Sequence, residues 1–192
     1  MGVETEAAQA AWSRIVELQE LGKTDNAAAD EALNELFRSG GPVTTLDGPT
    51  DGILVLTTMT KVPDVALKAL TSVWMPWEGK RFNAETNTGD NRMTGHAVVV
   101  SKVLWPLYSM KDSPAARLAF DFKTYIEAGK EDPDRQVMVI DYADVPSNPR
   151  LIIRSIRDEL VELVPGAYIG KVLFRLPRDK YLKLGYFALR TF

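Results

Sequence analysis

The chain has 192 residues, 45% of them hydrophobic and 26% charged, with a formal net charge of -3. These values describe a folded domain with a substantial core, and they exclude chain-wide disorder and a large basic face for nucleic acid. The absence of cysteine removes disulfides, thiol nucleophiles and thiolate-held zinc, and it fits a reducing cytoplasm.

The first stretch, "MGVETEAAQAAW", is acidic and alanine-rich, without the basic region of a signal peptide. Residues 4–21 place Trp12, Ile15, Val16, Leu18 and Leu21 at helical spacing. A second helix follows "KTDN", capped by Asp25 or Asn26, with Leu33, Leu36 and Phe37 on its buried face and "SGGP" at its end. Together they predict a helical hairpin over residues 1–40, an appendage to a larger α+β domain over 41–192.

Residues 53–58, "ILVLTT", read as a strand preceded by Gly-Pro and Asp-Gly turns. Pro63 opens a helix carrying Val65, Leu67, Leu70 and Val73 toward Trp74 and Trp77. Residues 83–92 are polar and predict a loop. The apolar segment that follows, through Tyr108, reads as a helix broken at Pro106 or as a strand around "AVVVSKV", with the helix favoured. Lys102 and Pro106 interrupt its longest apolar run, which falls short of the roughly 20 residues of a membrane span. The expectation is a cytoplasmic protein without stable membrane insertion.

"RLAFDFKTYIEAG" and "RQVMVIDYADV" have the period-two pattern and the aromatic and β-branched content of strands, and they predict a hairpin around "GKEDPD". "SNPRLIIRSIRDELVELVPG" predicts a helix capped by Ser147 or Asn148, with Pro149 at its first position and Ile152, Ile153, Ile156, Leu160 and Leu163 as its stripe. "AYIGKVLFRL" and "KYLKLGYFALRTF" predict a second hairpin. No βαβ alternation appears, so the expected fold is a strongly curved antiparallel sheet or small barrel with packing helices. Strands apolar on both faces, such as Val137 and Val139 alternating with Met138 and Ile140, would meet the helices on one side and line a barrel on the other.

No GxxxxGK[ST], GxGxxG or GxSxG motif is present, so nothing local supports a phosphate cradle, a dinucleotide fold or a serine nucleophile elbow. His96 is the single histidine, and Asp132 and Asp134 lack the rest of a calcium-ligand pattern, so neither a metal nor a cofactor is expected. His96 suits a general base, or a structural histidine hydrogen-bonded within the core. Asp121, Lys123 and Tyr125 share one strand face, and Asp141 and Tyr142 follow on the next strand. Turned inward, that set would orient a ligand's head group; turned outward, it is a solvated face. Trp74, Trp77, Phe82, Trp105 and Tyr108 serve equally as core or as a pocket rim.

Two stretches carry a resemblance. "LDGPTDG", with Gly48 and Gly52, followed by "WEGKRF", resembles the GXWXG family over residues 43–93, with Thr50 where that family has its central tryptophan. "PGAYIGKVLFRL" and "LGYFALRTF" resemble lipocalin-like barrels. The resemblance implies an antiparallel barrel with an internal cavity and implies no reaction. The function it suggests is binding of an apolar or amphipathic molecule such as a fatty acid, isoprenoid or polyketide. Trp77, Phe82 and Trp105 would supply apolar contact, Lys80 would pair with an acidic head group, and Tyr125 and Tyr142 would hydrogen-bond inside. One alternative is a cyclase or isomerase in the same cavity, with Asp121, Asp141 or His96 moving a proton. Another is a filled barrel used for protein contact, which admits a homodimer.

Overall fold

A computed structural model describes residues 2–44, 46–58, 77–94, 108–112, 117–150 and 152–191. Helix α1 (Gly2–Gly22) and helix α2 (Asn26–Ser39) form the expected hairpin. Asp25 caps α2, its carboxylate accepting from Ala28 N at 3.0 Å. Trp12, Ile15 and Leu18 of α1 and Ala29, Leu33 and Phe37 of α2 bury a common stripe against the sheet's outer face.

The strands are β1 (Gly41–Pro42), β2 (Gly48–Pro49), β3 (Asp51–Thr57), β4 (Trp77–Asn83), β5 (Thr88–Met93), β6 (Lys111–Asp112), β7 (Arg117–Ala128), β8 (Gln136–Asp141), β9 (Ile156–Val164), β10 (Ala167–Leu176) and β11 (Lys180–Arg190). The pairings among the described residues are antiparallel, in the order β2-β4-β5-β7-β8-β9-β10-β11-β3. The two ends of that path, β2 and β3, are separated by Thr50 alone. One short segment therefore bonds to β4 at its start and to β11 along its length, closing the sheet into a nearly complete barrel. Thr50 is the joint: its N–H and its hydroxyl both donate to Lys80 O, at 2.8 and 2.9 Å.

Strand residues alternate between two cores, as the sequence implied. Val137, Val139, Tyr186 and Ala188 face the helices. Ile140, Phe187 and Leu189 face the barrel interior, with Phe82, Phe120 and Phe122.

Two expectations are corrected. Among the described residues of 147–166 there is no α-helix. A single 3-10 turn (Ile153–Ser155) leads into β9. The isoleucines and leucines fit a helical template, but the same residues alternate, with Ile156, Asp158 and Leu160 on one face, and two unsatisfied neighbours decide the outcome. β9 pairs with β8 on one side and β10 on the other, supplying ladder bonds that a helix would withhold. Asn148 is not a helix cap; its amide donates to Asp121 O (2.7 Å) and Tyr142 O (3.1 Å) and staples the loop to β7. Residues 83–92, expected as a loop, are the turn and second strand of the β4–β5 hairpin. Backbone pairing needs no apolar side chain, and Asp90 is held by Arg81 across the strands at 2.6 Å. The helix expected from Pro63 lies outside the described residues, as does nearly all of the apolar segment before Tyr108.

A charged clamp ties α2 to the barrel. Asp132, in the β7–β8 loop, accepts from Arg38 of α2 and from Lys171 of β10, while Lys171 also donates to Asn34 at 2.6 Å. Asp132 and Lys171 are both buried. Burial pushes the Asp132 carboxyl up, but the hydrogen bonds from Lys171 and Arg38 outweigh it and hold the group below its ordinary 3.8. Its stabilisation is therefore complete above that value and is lost as pH falls through the depressed folded value. Asp132→Asn is expected to cost about 2 kcal/mol near neutrality, since it removes the nearer carboxylate of a buried lysine and leaves it Glu131 at 3.5 Å and Asn34. It should also flatten the loss of stability as pH falls below the ordinary carboxylate value. Urea titrations of both proteins across that range check both expectations.

Candidate functional site

The site grows from a bulge. Trp77 pairs with Met93 but Gly79 pairs with Arg92, so Glu78 is an extra residue in β4. The extra residue shifts the side-chain alternation. Trp77, Lys80 and Phe82 all face the barrel interior, whereas strict alternation would send Trp77 outward with Arg81. A second bulge lies opposite: Gly89 pairs with Phe122 and Asn91 with Ala119, leaving Phe120 in a left-handed conformation with φ of 53°. Phe120 is secured by its N–H donating to Tyr108 Oη (2.6 Å) and by its carbonyl accepting from Asn91 Nδ2 (3.1 Å).

Lys80 is 3% exposed. Its ammonium donates to Asn91 Oδ1 at 2.9 Å, Tyr142 Oη at 2.6 Å and Asp158 Oδ2 at 2.9 Å, which uses all three N–H bonds. Tyr142 Oη donates to the same Asp158 oxygen at 2.9 Å, and Trp77 Nε1 donates to Asn91 Oδ1 at 3.1 Å. The rings of Trp77, Phe122, Tyr142 and Phe187 surround Nζ, with centroids 5.2–5.6 Å away. The result is a cation held in an aromatic cage. Burial lowers the Lys80 pKa, and the neighbouring Asp158 opposes that shift. Burial and the Asp158 charge push the Tyr142 hydroxyl well above 10, so it remains a protonated donor.

A cavity of about 40 Å³ adjoins this cluster, with Leu54, Met93, Ile156 and Phe187 among its apolar walls and Lys80 and Trp77 completing it. It has room for about three water-sized groups. Trp77 is also a wall of an outer groove of about 510 Å³, shared with Trp12, Gly52, Arg92 and Arg190. The indole thus separates interior from exterior where β3 and β4 meet. It lies directly on Gly52, where an added Cβ would fall 2.5 Å from a ring carbon. A larger cleft of about 990 Å³ opens beside the β4–β5 turn; four of its charges pair with one another, Arg81 with Asp90 and Lys111 with Asp121.

Of the residues singled out in the sequence, Trp77, Lys80, Phe82 and Tyr142 lie together on the inner wall, with Phe82 packed against Phe122 at 5.4 Å between centroids. The acidic partner of Lys80 is the chain's own Asp158. Tyr125 is not inside: it is 42% exposed, and its hydroxyl donates to Asp141 on the outer surface at 3.1 Å. Asp121 and Asp141 also lie outside the cavity, Asp121 paired with Lys111 and Asp141 accepting from Ala143 N at 2.8 Å. Phe120, Phe122 and Ile140 occupy the inner face, so the charged residues between them point to solvent, where hydration is retained. His96 and Trp105 lie outside the described residues. Asn91 and Asp158 were missed because their segments read as a loop and as a helix surface. The available signal for Asp158 was its place between Ile156 and Leu160 in a period-two reading.

Among the described residues, no group of three or more acidic or histidine side chains could hold a metal ion, and no helix is long and apolar enough to cross a membrane. No family model matches the chain, and no curated protein matches its sequence. A protein of known crystal structure from Thermomonospora curvata is similar over 95% of this chain and 98% of its own, with 16% identity and a TM-score of 0.48.

Proposed function

We propose that the barrel binds a small amphipathic molecule, its polar end taking the place of Asn91 as a hydrogen-bond partner of Lys80 beside Tyr142 and its short apolar body against Leu54, Met93 and Ile156. The observation that carries this reading is the buried Lys80–Asp158 pair beside an apolar cavity. Desolvating two charges costs several kcal/mol, and apolar side chains of similar volume generally fill such a space at equal or better stability. A charged cluster at that position is therefore better explained by recognition than by folding. The lipocalin-like form of the barrel supports the same reading.

Size narrows the ligand. Drug-sized ligands occupy roughly 300–1,000 Å³, against about 40 Å³ here. A short aliphatic molecule fits as the walls stand, and a full-length fatty acid or isoprenoid requires the Trp77 indole to swing out. Titration of 15N-labelled protein with short alcohols and ketones tests the reading. The Trp77 indole N–H, assigned through Trp77→Phe, should shift saturably while that of Trp12 stays in place. A Trp77 signal that never moves would leave a barrel filled by its own side chains.

Trp77→Ala is expected to join the cavity to the outer groove. The variant should take up a long-chain fluorescent probe that the native protein excludes, at a stability cost of about 3 kcal/mol. Equal uptake by both proteins would mean that Trp77 is not the barrier.

A further inference from the structure

We infer that Lys80 forms a Schiff base with a short aliphatic aldehyde held in the interior cavity. The inference rests on the cavity binding reading and names the substrate class of that site.

Four features point to it. Lys80 is a primary amine in the wall of an apolar cavity that admits only a few non-hydrogen atoms. Desolvation favours its neutral, nucleophilic form. Asp158 Oδ2 lies 2.9 Å from Nζ, close enough to take its proton, and Tyr142 Oη, 2.6 Å from Nζ, holds Asp158 in place. Trp77, Met93, Ile156 and Phe187 line the cavity with apolar surface around the amine, which keeps the local dielectric low where the imine forms.

The step balances without a co-reactant. The ammonium passes a proton to Asp158, and the freed amine swings from Asn91 to attack the carbonyl carbon. The carbon–nitrogen bond forms as the carbonyl π pair moves to oxygen. Two protons leave nitrogen in all, carried by Asp158 one at a time, and depart with that oxygen as water when the carbon–oxygen bond breaks. Aldehyde plus ammonium gives iminium plus water, so the site begins and ends with one positive charge. The Asp158 carboxylate that balanced the ammonium then balances the iminium. The four surrounding rings suit the larger, more diffuse iminium at least as well as the ammonium. An outward-facing lysine such as Lys123 is exposed and has no such apolar surroundings.

The test uses the intact native protein with acetaldehyde and cyanoborohydride near pH 6, followed by intact mass measurement and peptide mapping. Exposed lysines are almost wholly protonated there. The expected result is one ethyl group per chain, located on Lys80 and added at least about tenfold faster than at Lys123. In parallel, 13C-labelled acetaldehyde without reductant should give an imine carbon resonance that Lys80→Arg abolishes. Labelling spread over exposed lysines, with the Lys80 peptide unmodified and no imine resonance, overturns the proposal. If acetaldehyde then still shifts the Trp77 indole, the cavity binds and only the covalent step falls. If it does not, both readings fall together.

Discussion

Replacing Lys80 with Met should lower unfolding stability by about 3–5 kcal/mol, and adding Asp158→Leu to the same chain should restore at least half of that. The single change leaves the Asp158 carboxylate 4% exposed, with Tyr142 as its remaining donor, inside a barrel lined by aromatic rings. The loss is the penalty of an uncompensated buried charge and does not measure the strength of the pair. The double change removes both charges together, and Tyr142 and Trp77 keep Asn91 as a partner. Urea denaturation of the native, single and double variants measures the cycle. A double variant that is stable but leaves the Trp77 indole unresponsive to ligand would assign the cluster to recognition. A double variant as unstable as the single one would mean that the barrel depends on the pair to fold.

Gly79→Ala should cost about 3 kcal/mol or more and open the barrel beside Lys80. Gly79 has φ of 143°, a region that side chains disfavour, and an added Cβ would fall 2.1 Å from Thr50 O. Neither backbone yields cheaply, because Thr50 is bonded to Lys80 through both its N–H and its hydroxyl, and Thr50 O also accepts from Arg92 Nη1 at 2.6 Å. The joint between β2 and β3 is thus the point where closure and the site share atoms. Amide hydrogen exchange at Thr50 should accelerate in the variant more than at Val139, whose β8 pairs with β7 and β9 far from the joint. Equal acceleration at both positions would show global rather than local loosening.

The helical hairpin and the β7–β8 and β10–β11 hairpins were legible in the sequence because their signals are local. Asp25 caps the helix that it precedes, and Val137 to Ile140 alternate over four consecutive residues. β9 was illegible for the opposite reason. Ile152, Ile153, Ile156, Leu160 and Leu163 satisfy a helical period as well as a strand period, and the choice between them is made by the open edges of β8 and β10. The same limit applies to Tyr125, whose face was open in the sequence and was decided by Phe120 and Phe122 filling the interior.

By itself the sequence determined that this chain carries an N-terminal helical hairpin and an antiparallel sheet with two apolar faces, and that Trp77 and Lys80 stand close together in the chain. Tertiary structure alone decided that Lys80 turns inward and meets Asn91, Tyr142 and Asp158, which come from three other stretches of the chain. Helix caps and alternation are set by neighbours a few residues apart. An interior ion pair is set by the register of β4, β5 and β9 and by the bulges in β4 and β7, and register is a property of the closed sheet.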